Sequence, residues 1–347
     1  MNMNLDEKIE NDLKRDIKIP QSVLSKIDKA FEEIRKEEVN KSKLAFSFNK
    51  KIVVSLLAVF ILSFFIINPK VIASISSMFK DRGIQKATNN GYIQESPGNA
   101  VKDSGVTLNI DAIVADTTKI GVEFTLKFDD ISTLKNVNDI QLGLNIKDNN
   151  DRVLLQHLQE GMHTTMQVGQ NWNTDISNKS NGEIKYYLTM YSTKGDLDNI
   201  SNLSINIDEI KLYEDDVRYH SDIDGEWNLS LDLDNKIKEL ETTKYVLEES
   251  NDIVSLNSME VMPTGSIINM NINKRVDENI VNRIILTDES GEKTYNFTNG
   301  NMEDEENGVN ISFMYDLTTF DNIDNLKIII KDIDGEDIVL NLAKENK

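Results

Sequence analysis

The chain has 347 residues, with 38 Lys and Arg against 59 Asp and Glu, a formal net charge of −21. So acidic a balance argues against nucleic acid as a direct partner of the part that carries it, because such a surface repels phosphates. Cysteine is absent and the histidines are His157, His163 and His220 alone, which excludes disulfides, thiolate catalysis and cysteine-ligated zinc and argues against a histidine-based site.

The charge is unevenly placed: residues 1–51 carry 12 basic and 10 acidic side chains, and the remainder carries 26 and 49, a net of −23. Residues 1–16 predict a short helix with Leu5, Ile9 and Leu13 on one stripe. Ile17 and Ile19 bracket a break before Pro20, which suits the first turn of a second helix, Gln21 to Val39. There Val23, Leu24, Ile27, Ala30, Phe31 and Ile34 share one apolar face, opposite Lys26, Asp28, Glu32 and Arg35. Two such helices bury too little to be very stable alone. Either they pack on each other, or the stripe waits for a partner's groove.

Ile52 to Ile67 reads IVVSLLAVFILSFFII, without a charge. Its only polar groups, Ser55 and Ser63, can bond back to helix carbonyls. As a helix the run spans about 24 Å against a hydrocarbon core of ~30 Å. Leu44, Phe46, Phe48, Val71 and Ile72 extend it, and Lys50 and Lys51 can snorkel. A buried helix of a soluble domain would need apolar neighbours on every side, and the flanking segments are strongly polar. The run therefore predicts one transmembrane helix. Arg35, Lys36, Lys41, Lys43, Lys50 and Lys51 precede it, against Lys70, Lys80, Arg82 and Lys86 after it, which places the N-terminus in the cytoplasm and the acidic part outside. Val71-Ile72-Ala73 resembles a signal-cleavage site, but 51 residues precede the apolar run, far more than a signal's charged region.

Asn68-Pro69 can cap and open a further helix, Pro69 to Phe79, lying on the membrane surface through Val71, Ile72, Ile75, Met78 and Phe79. Continuing the membrane helix through a kink at Pro69 is the alternative. A short helix, Gly83 to Asn89, leads into a linker, Glu95-Ser96-Pro97-Gly98-Asn99.

From Gly105 the period changes to two. Val106, Leu108 and Ile110 alternate with polar residues, as do Ile120, Val122, Phe124, Leu126 and Phe128, with Asp116-Thr117-Thr118 as the turn between. Further strands are expected at Ile140–Ile146, Val153–Gln156, Ile184–Tyr191, Leu203–Ile210 and Trp227–Leu233. The same order then recurs. Val106-Thr-Leu-Asn returns as Val254-Ser-Leu-Asn, Ile146-Lys-Asp148 as Leu286-Thr-Asp288, and the run Asp198 to Ile207 as Asp321 to Ile330. The offset falls from 148 to 140 to 123, so the first copy has longer loops, mainly in His157–Gly182. The expected protein is mainly β. It comprises a cytoplasmic helical segment (1–50), a transmembrane helix (51–68), juxtamembrane helices and linker (69–100), and two tandem β-sandwiches (101–235 and 236–347).

Nothing in the sequence points to an enzyme. There is no G-x-S-x-G elbow, S-x-x-K set or H-E-x-x-H pair, the histidines fall on expected loops, and no cofactor is implied. The acidic clusters Asp148–Asp151, Tyr213–Asp216, Asp222–Glu226, Met302–Glu306 and Asp332–Asp337 lack the full D-x-D-x-D-G run of a calcium loop. Asp224-Gly225 and Asp334-Gly335 sit between alternating strands, as tight hairpin turns do. Trp172 falls in the long loop of the first copy and Trp227 opens a strand; both read as covers for a sandwich core, with ligand anchoring as the rival role.

The run from the membrane helix into the first strands resembles a known family. The residues that carry the likeness are Asn68-Pro69, Val71-Ile-Ala-Ser-Ile-Ser-Ser-Met-Phe-Lys80, Asp81-Arg-Gly83-Ile-Gln-Lys-Ala87, Gly91, Gly105-Val-Thr-Leu and Ile113-Val-Ala-Asp116. They are similar to single-pass proteins of spore-forming and related Gram-positive bacteria known as negative effectors of extracytoplasmic-function sigma factors. The likeness is close over residues 45–130 and loose beyond, where that family often carries a second immunoglobulin-like domain. It implies an anti-sigma-like regulator that holds a sigma factor at the membrane through its cytoplasmic segment and releases it on an outside signal. The histidine and paired cysteines of zinc-containing anti-sigma proteins are missing, so any such contact works without metal. Val23, Ile27, Phe31 and Ile34 are the contact stripe expected here. Four such side chains at roughly 1.5–3 kcal/mol each give about 6–12 kcal/mol before association costs. The rival reading is an envelope adhesion or scaffold protein whose paired sandwiches bind a wall polymer or another protein.

Overall fold

Alternation becomes pleat from Val106 onward. In the computed structural model, which describes residues 79–345 apart from Pro97 and residues 158–167, 195–196, 215–219, 235–236 and 238–241, the chain is mainly β. Strand β3 (Val106–Ala115) buries Val106, Leu108 and Ile110, and β4 (Lys119–Phe128) buries Ile120, Val122, Phe124 and Leu126. These strands belong to a six-stranded sheet of order β1-β3-β4-β8-β7, in which β1 (Gln94–Glu95) and β2 (Ala100–Asp103) both pair with β3. Its other members are β7 (Gly169–Asp175) and β8 (Glu183–Tyr191). A four-stranded sheet lies against it in the order β10-β9-β5-β6, built from β5 (Asp139–Asp148), β6 (Val153–His157), β9 (Asn202–Tyr213) and β10 (His220–Asp232). Phe124 and Tyr186 from one sheet and Leu142, Ile205 and Trp227 from the other share a single core. The indole N–H of Trp227 donates to the Val106 carbonyl at 3.0 Å, so the two sheets are also joined by a buried polar bond.

The second half repeats this order. Its strands are β11 (Thr243–Leu247), β12 (Val254–Met262), β13 (Gly265–Ile272), β14 (Ile284–Asp288), β15 (Thr294–Tyr295), β16 (Phe297–Glu305), β17 (Gly308–Tyr315), β18 (Asn325–Ile333) and β19 (Glu336–Lys344). The path β12-β13-β17-β16 matches β3-β4-β8-β7, and β19-β18-β14-β15 matches β10-β9-β5-β6. Val106 and Val254 open equivalent strands, and Asp148 and Asp288 close equivalent strands. Each of those aspartates folds its carboxylate back onto the following turn, accepting from Arg152 N at 2.9 Å and from Lys293 N at 3.2 Å. The halves differ at one seam. β11 pairs with β12 on one side and β19 on the other, fusing nine strands into one sheet, whereas β2 pairs only with β3.

Several expectations need correction. Asp224-Gly225 is no hairpin turn: it lies inside β10, at a register shift between Asp224 and Trp227. A Cβ on Gly225 would come within 2.5 Å of the Trp227 ring, so the glycine is there to let the indole lie across the backbone. Asp334-Gly335 does form the β18–β19 turn, with φ of 56° and 87°. Trp172 is not on a loop but in β7, Trp227 lies well inside β10 rather than at its start, and His157 ends β6 half-buried. The stretch expected as a linker is stitched to the fold: Glu95 belongs to β1, and Ser96 N donates to Asp111 O at 2.8 Å. Phe79, expected to end a membrane-surface helix, is non-helical and buried at 1% exposure. Among the described residues no helix is long and apolar enough to cross a membrane. The apolar run Ile52–Ile67 and the helices expected before it lie outside the described residues.

Candidate functional site at the junction of the two β-halves

Helix α1 (Arg82–Asn89) follows the apolar run closely in sequence, and its cap ties the halves together. Asp81 is the N-cap: its Oδ1 accepts from Ile84 N at 3.0 Å, the bond an aspartate supplies to an orphan helix N–H. Its Oδ2 accepts from Lys119 Nζ at 2.8 Å, with Lys119 only 1% exposed at the start of β4. The same ammonium donates to the Thr264 carbonyl at 3.3 Å, in the turn between β12 and β13. From the other side of the same turn Asp116 accepts through Oδ1 from Thr118 N and Lys119 N, and through Oδ2 from Thr264 N at 2.8 Å and Thr264 Oγ1 at 2.6 Å. Asp116 and Thr264 are both buried. The β3–β4 tip of one half thus grips the β12–β13 tip of the other. Gly83 closes this packing, since a Cβ there would sit 1.7 Å from the Thr264 oxygen.

The rest of α1 is wedged into the same junction. Ile84 and Ala87 are buried, and the Ile84 and Phe79 side chains crowd Gly121 of β4. Phe79 meets Tyr187 edge-on at 5.3 Å. On the opposite side Lys86 Nζ donates to the Asp316 carbonyl at 2.7 Å and to Asp321 Oδ2 at 2.9 Å. Lys293 reaches the other Asp321 oxygen at 2.6 Å. Burial alone would raise the Asp321 carboxyl, but the hydrogen bonds from Lys293 and Lys86 outweigh it and hold the group below its ordinary value. Beyond the helix, Tyr92 Oη donates to Ala115 O at 2.8 Å, and its ring lies 6.5 Å from that of Phe320.

Beside the joint lies a cleft of about 300 Å³. Asn171, Trp172 and Asn173 of β7, Tyr187 and Tyr191 of β8, and Phe297, Thr298 and Asn299 of β16 line it, together with Lys80, Lys119, Arg82 and Asp316. Strands β7 and β16 are equivalent in the repeat, and each is an edge strand of its sheet. Phe297 is 40% exposed. Thr298 Oγ1 is shielded from solvent and has no hydrogen-bond partner among the described residues. Two of the basic groups at the cleft face a carboxylate, Lys119 with Asp81 and Arg82 with Asp316 at 3.8 Å, and Lys80, also in the lining, is exposed.

A second buried charge lies further along β4. Glu123 is fully buried and accepts from Lys185 Nζ and, at 3.4 Å, from Tyr187 Oη. Burial lifts its carboxyl above the ordinary value, with the Lys185 charge opposing. Burial would lower Lys185, but Glu123 and Asp111 overcome this and hold its ammonium above the usual value. Among the described residues no group of three or more His, Asp or Glu could hold a metal ion.

The sequence-derived contact stripe, Val23, Ile27, Phe31 and Ile34, lies outside the described residues. The junction residues Lys119, Asp116 and Thr264 carried no signal beyond a turn-like Asp-Thr-Thr. Their pairing spans 148 positions between Asp116 and Thr264, and no local pattern encodes a contact at that range.

No family model matches the chain, and no curated protein matches it. Among solved structures it is similar to one described as the crystal structure of the conserved domain protein from Bacillus anthracis, with a TM-score of 0.41 and 12% identity, over 73% of this chain and 89% of that one.

Proposed function

We propose that this chain is a single-pass, non-enzymatic membrane regulator of the anti-sigma type. Its cytoplasmic stripe Val23, Ile27, Phe31 and Ile34 holds an extracytoplasmic-function sigma factor, the run Ile52–Ile67 spans the bilayer, and two immunoglobulin-like sandwiches outside act as the sensor. The observation that supports this reading is the clamp on α1. Asp81, Ile84 and Lys86 are held by both β-halves at once, so a ligand that shifts one half against the other must displace the segment leading back toward the apolar run. Buried contacts that switch between discrete packings transmit such shifts.

The test uses full-length protein extracted in detergent, carrying the double substitution Ile27→Asp and Phe31→Asp. Co-purification of a sigma factor with the natural sequence, lost in the double variant, together with derepressed target genes in cells, is the expected result. Recovery of no sigma factor with either protein removes the reading. The aromatic and amide lining of the cleft favours a second reading, an envelope adhesion or scaffold protein. Deleting residues 1–40 separates the two: a scaffold keeps its phenotype, and a regulator loses control of its genes.

A further inference from the structure

We propose that the cleft between β7 and β16 binds a neutral oligosaccharide, with Trp172 and Phe297 as ring platforms and Asn171 and Asn299 as readers of sugar hydroxyls. This deepens the sensor reading, on which its biological meaning rests, but the binding itself involves no sigma factor.

The chemistry of the lining selects the class. Five aromatic residues, among them Trp172, Tyr191 and Phe297, line the cleft with four asparagines and two threonines. A sugar ring offers an apolar C–H face to an aromatic plane and a rim of hydroxyls to amides, so both kinds of side chain are used at once. Phe297, at 40% exposure, leaves apolar surface in water that such a ring would cover. A volume of about 300 Å³ lies at the small end of ligand sites and limits the contact to a sugar unit or two.

Charge and backbone geometry weigh against the main rivals. Two of the three basic groups in the lining, Lys119 and Arg82, already face Asp81 and Asp316, leaving Lys80, and a chain of net charge −21 repels polyanions. An extended peptide would need to add a strand to the open edge of β7 or β16. On β16 the ladder is broken by a register shift between Phe297 and Asn299, and Asn299 Oδ1 already takes the Gly300 N–H. A bulged edge of that kind resists strand addition, whereas β7 runs in unbroken register with β8, so a peptide on β7 is the rival that the experiment must exclude.

Calorimetric titration of the full chain in detergent with chitotetraose, maltotetraose, tetragalacturonate and an extended hexapeptide tests the proposal. Saturable binding of at least one of the two neutral sugars is expected, with Phe297→Ala and Asn171→Ala each weakening it about tenfold, equivalent to 1.4 kcal/mol. Both positions are exposed, so both variants should keep the circular dichroism of the parent. Trp172→Phe, which keeps a platform, should weaken binding less than Trp172→Ala. The proposal is overturned if neither neutral sugar binds at about 10 mM, if the acidic sugar or the peptide binds in their place, or if the two alanine variants bind as the parent does. Loss of sigma-factor co-purification leaves this outcome untouched, and the reverse holds equally.

Discussion

Lys119 Nζ lies 2.8 Å from Asp81 Oδ2, and the two side chains differ in access to water, at 1% and 16% exposure. That inequality fixes an asymmetry. Asp81→Asn keeps a helix cap but leaves an ammonium buried without its counter-ion, a loss of about 3–5 kcal/mol by analogy with broken buried pairs. Lys119→Met leaves a carboxylate that water can reach and that still caps Ile84, so it should cost less. Chemical denaturation of both variants and their double checks the order. Equal losses would mean that the pair behaves as a surface salt bridge.

Gly83→Ala tests the wedge directly. Its φ lies outside the left-handed region, so backbone strain plays no part. The new methyl would overlap the Thr264 carbonyl, at 1.7 Å, and only withdrawal of α1 from the β12–β13 turn relieves that. Overpacking costs about 1–3 kcal/mol and occasionally more. Limited proteolysis should open the chain near residues 79–92 in the variant and leave the parent intact there.

Acid should loosen the same junction through Asp321. Its folded-state value is depressed, so the stability it supplies is present above the ordinary aspartate value of about 3.9 and is lost as pH falls through the depressed one. Asp148 titrates in the same direction, after burial is outweighed by its bonds from Arg152. Asp321→Asn should lose about 1–3 kcal/mol at neutral pH, where hydrogen bonds to a charged group are strongest. Its stability should also fall less steeply than the parent's below pH 4 or so. Melting curves across that range decide the point; parallel curves for the two proteins would contradict it.

Strands with one buried face were legible in the sequence because burial imposes a period of two, as in β9, where Leu203, Ile205 and Ile207 are buried between more exposed neighbours. The repeat was legible because equivalent turns need equivalent aspartates, Asp148 and Asp288. β7 escaped notice because its sequence, GQNWNTD, has Trp172 as its one apolar residue. An edge strand beside a cleft needs no apolar face, so it shows no alternation. The α1 joint was illegible for another reason: it is built from contacts such as Lys119 to Thr264, which depend on how two hairpin tips meet in space.

Gly225 offers the sharpest contrast between the two descriptions. As a hairpin residue its replacement by alanine would cost the same whatever stood at position 227. In the structure the glycine lies within β10 at a bulge, and the obstacle to a Cβ is the Trp227 ring at 2.5 Å. Gly225→Ala should therefore destabilise by about 1–3 kcal/mol, the ordinary cost of overpacking. Trp227→Leu should lose about 3–5 kcal/mol, since it empties a core position and strips the Val106 carbonyl of its donor. In the double variant the methyl enters space the indole has left, so the two losses should fall short of additive by about 0.5–3 kcal/mol. A double-mutant cycle by denaturant titration measures that coupling. Strict additivity would return Gly225 to the role of a turn residue and leave the fit of the indole across the bulge without support.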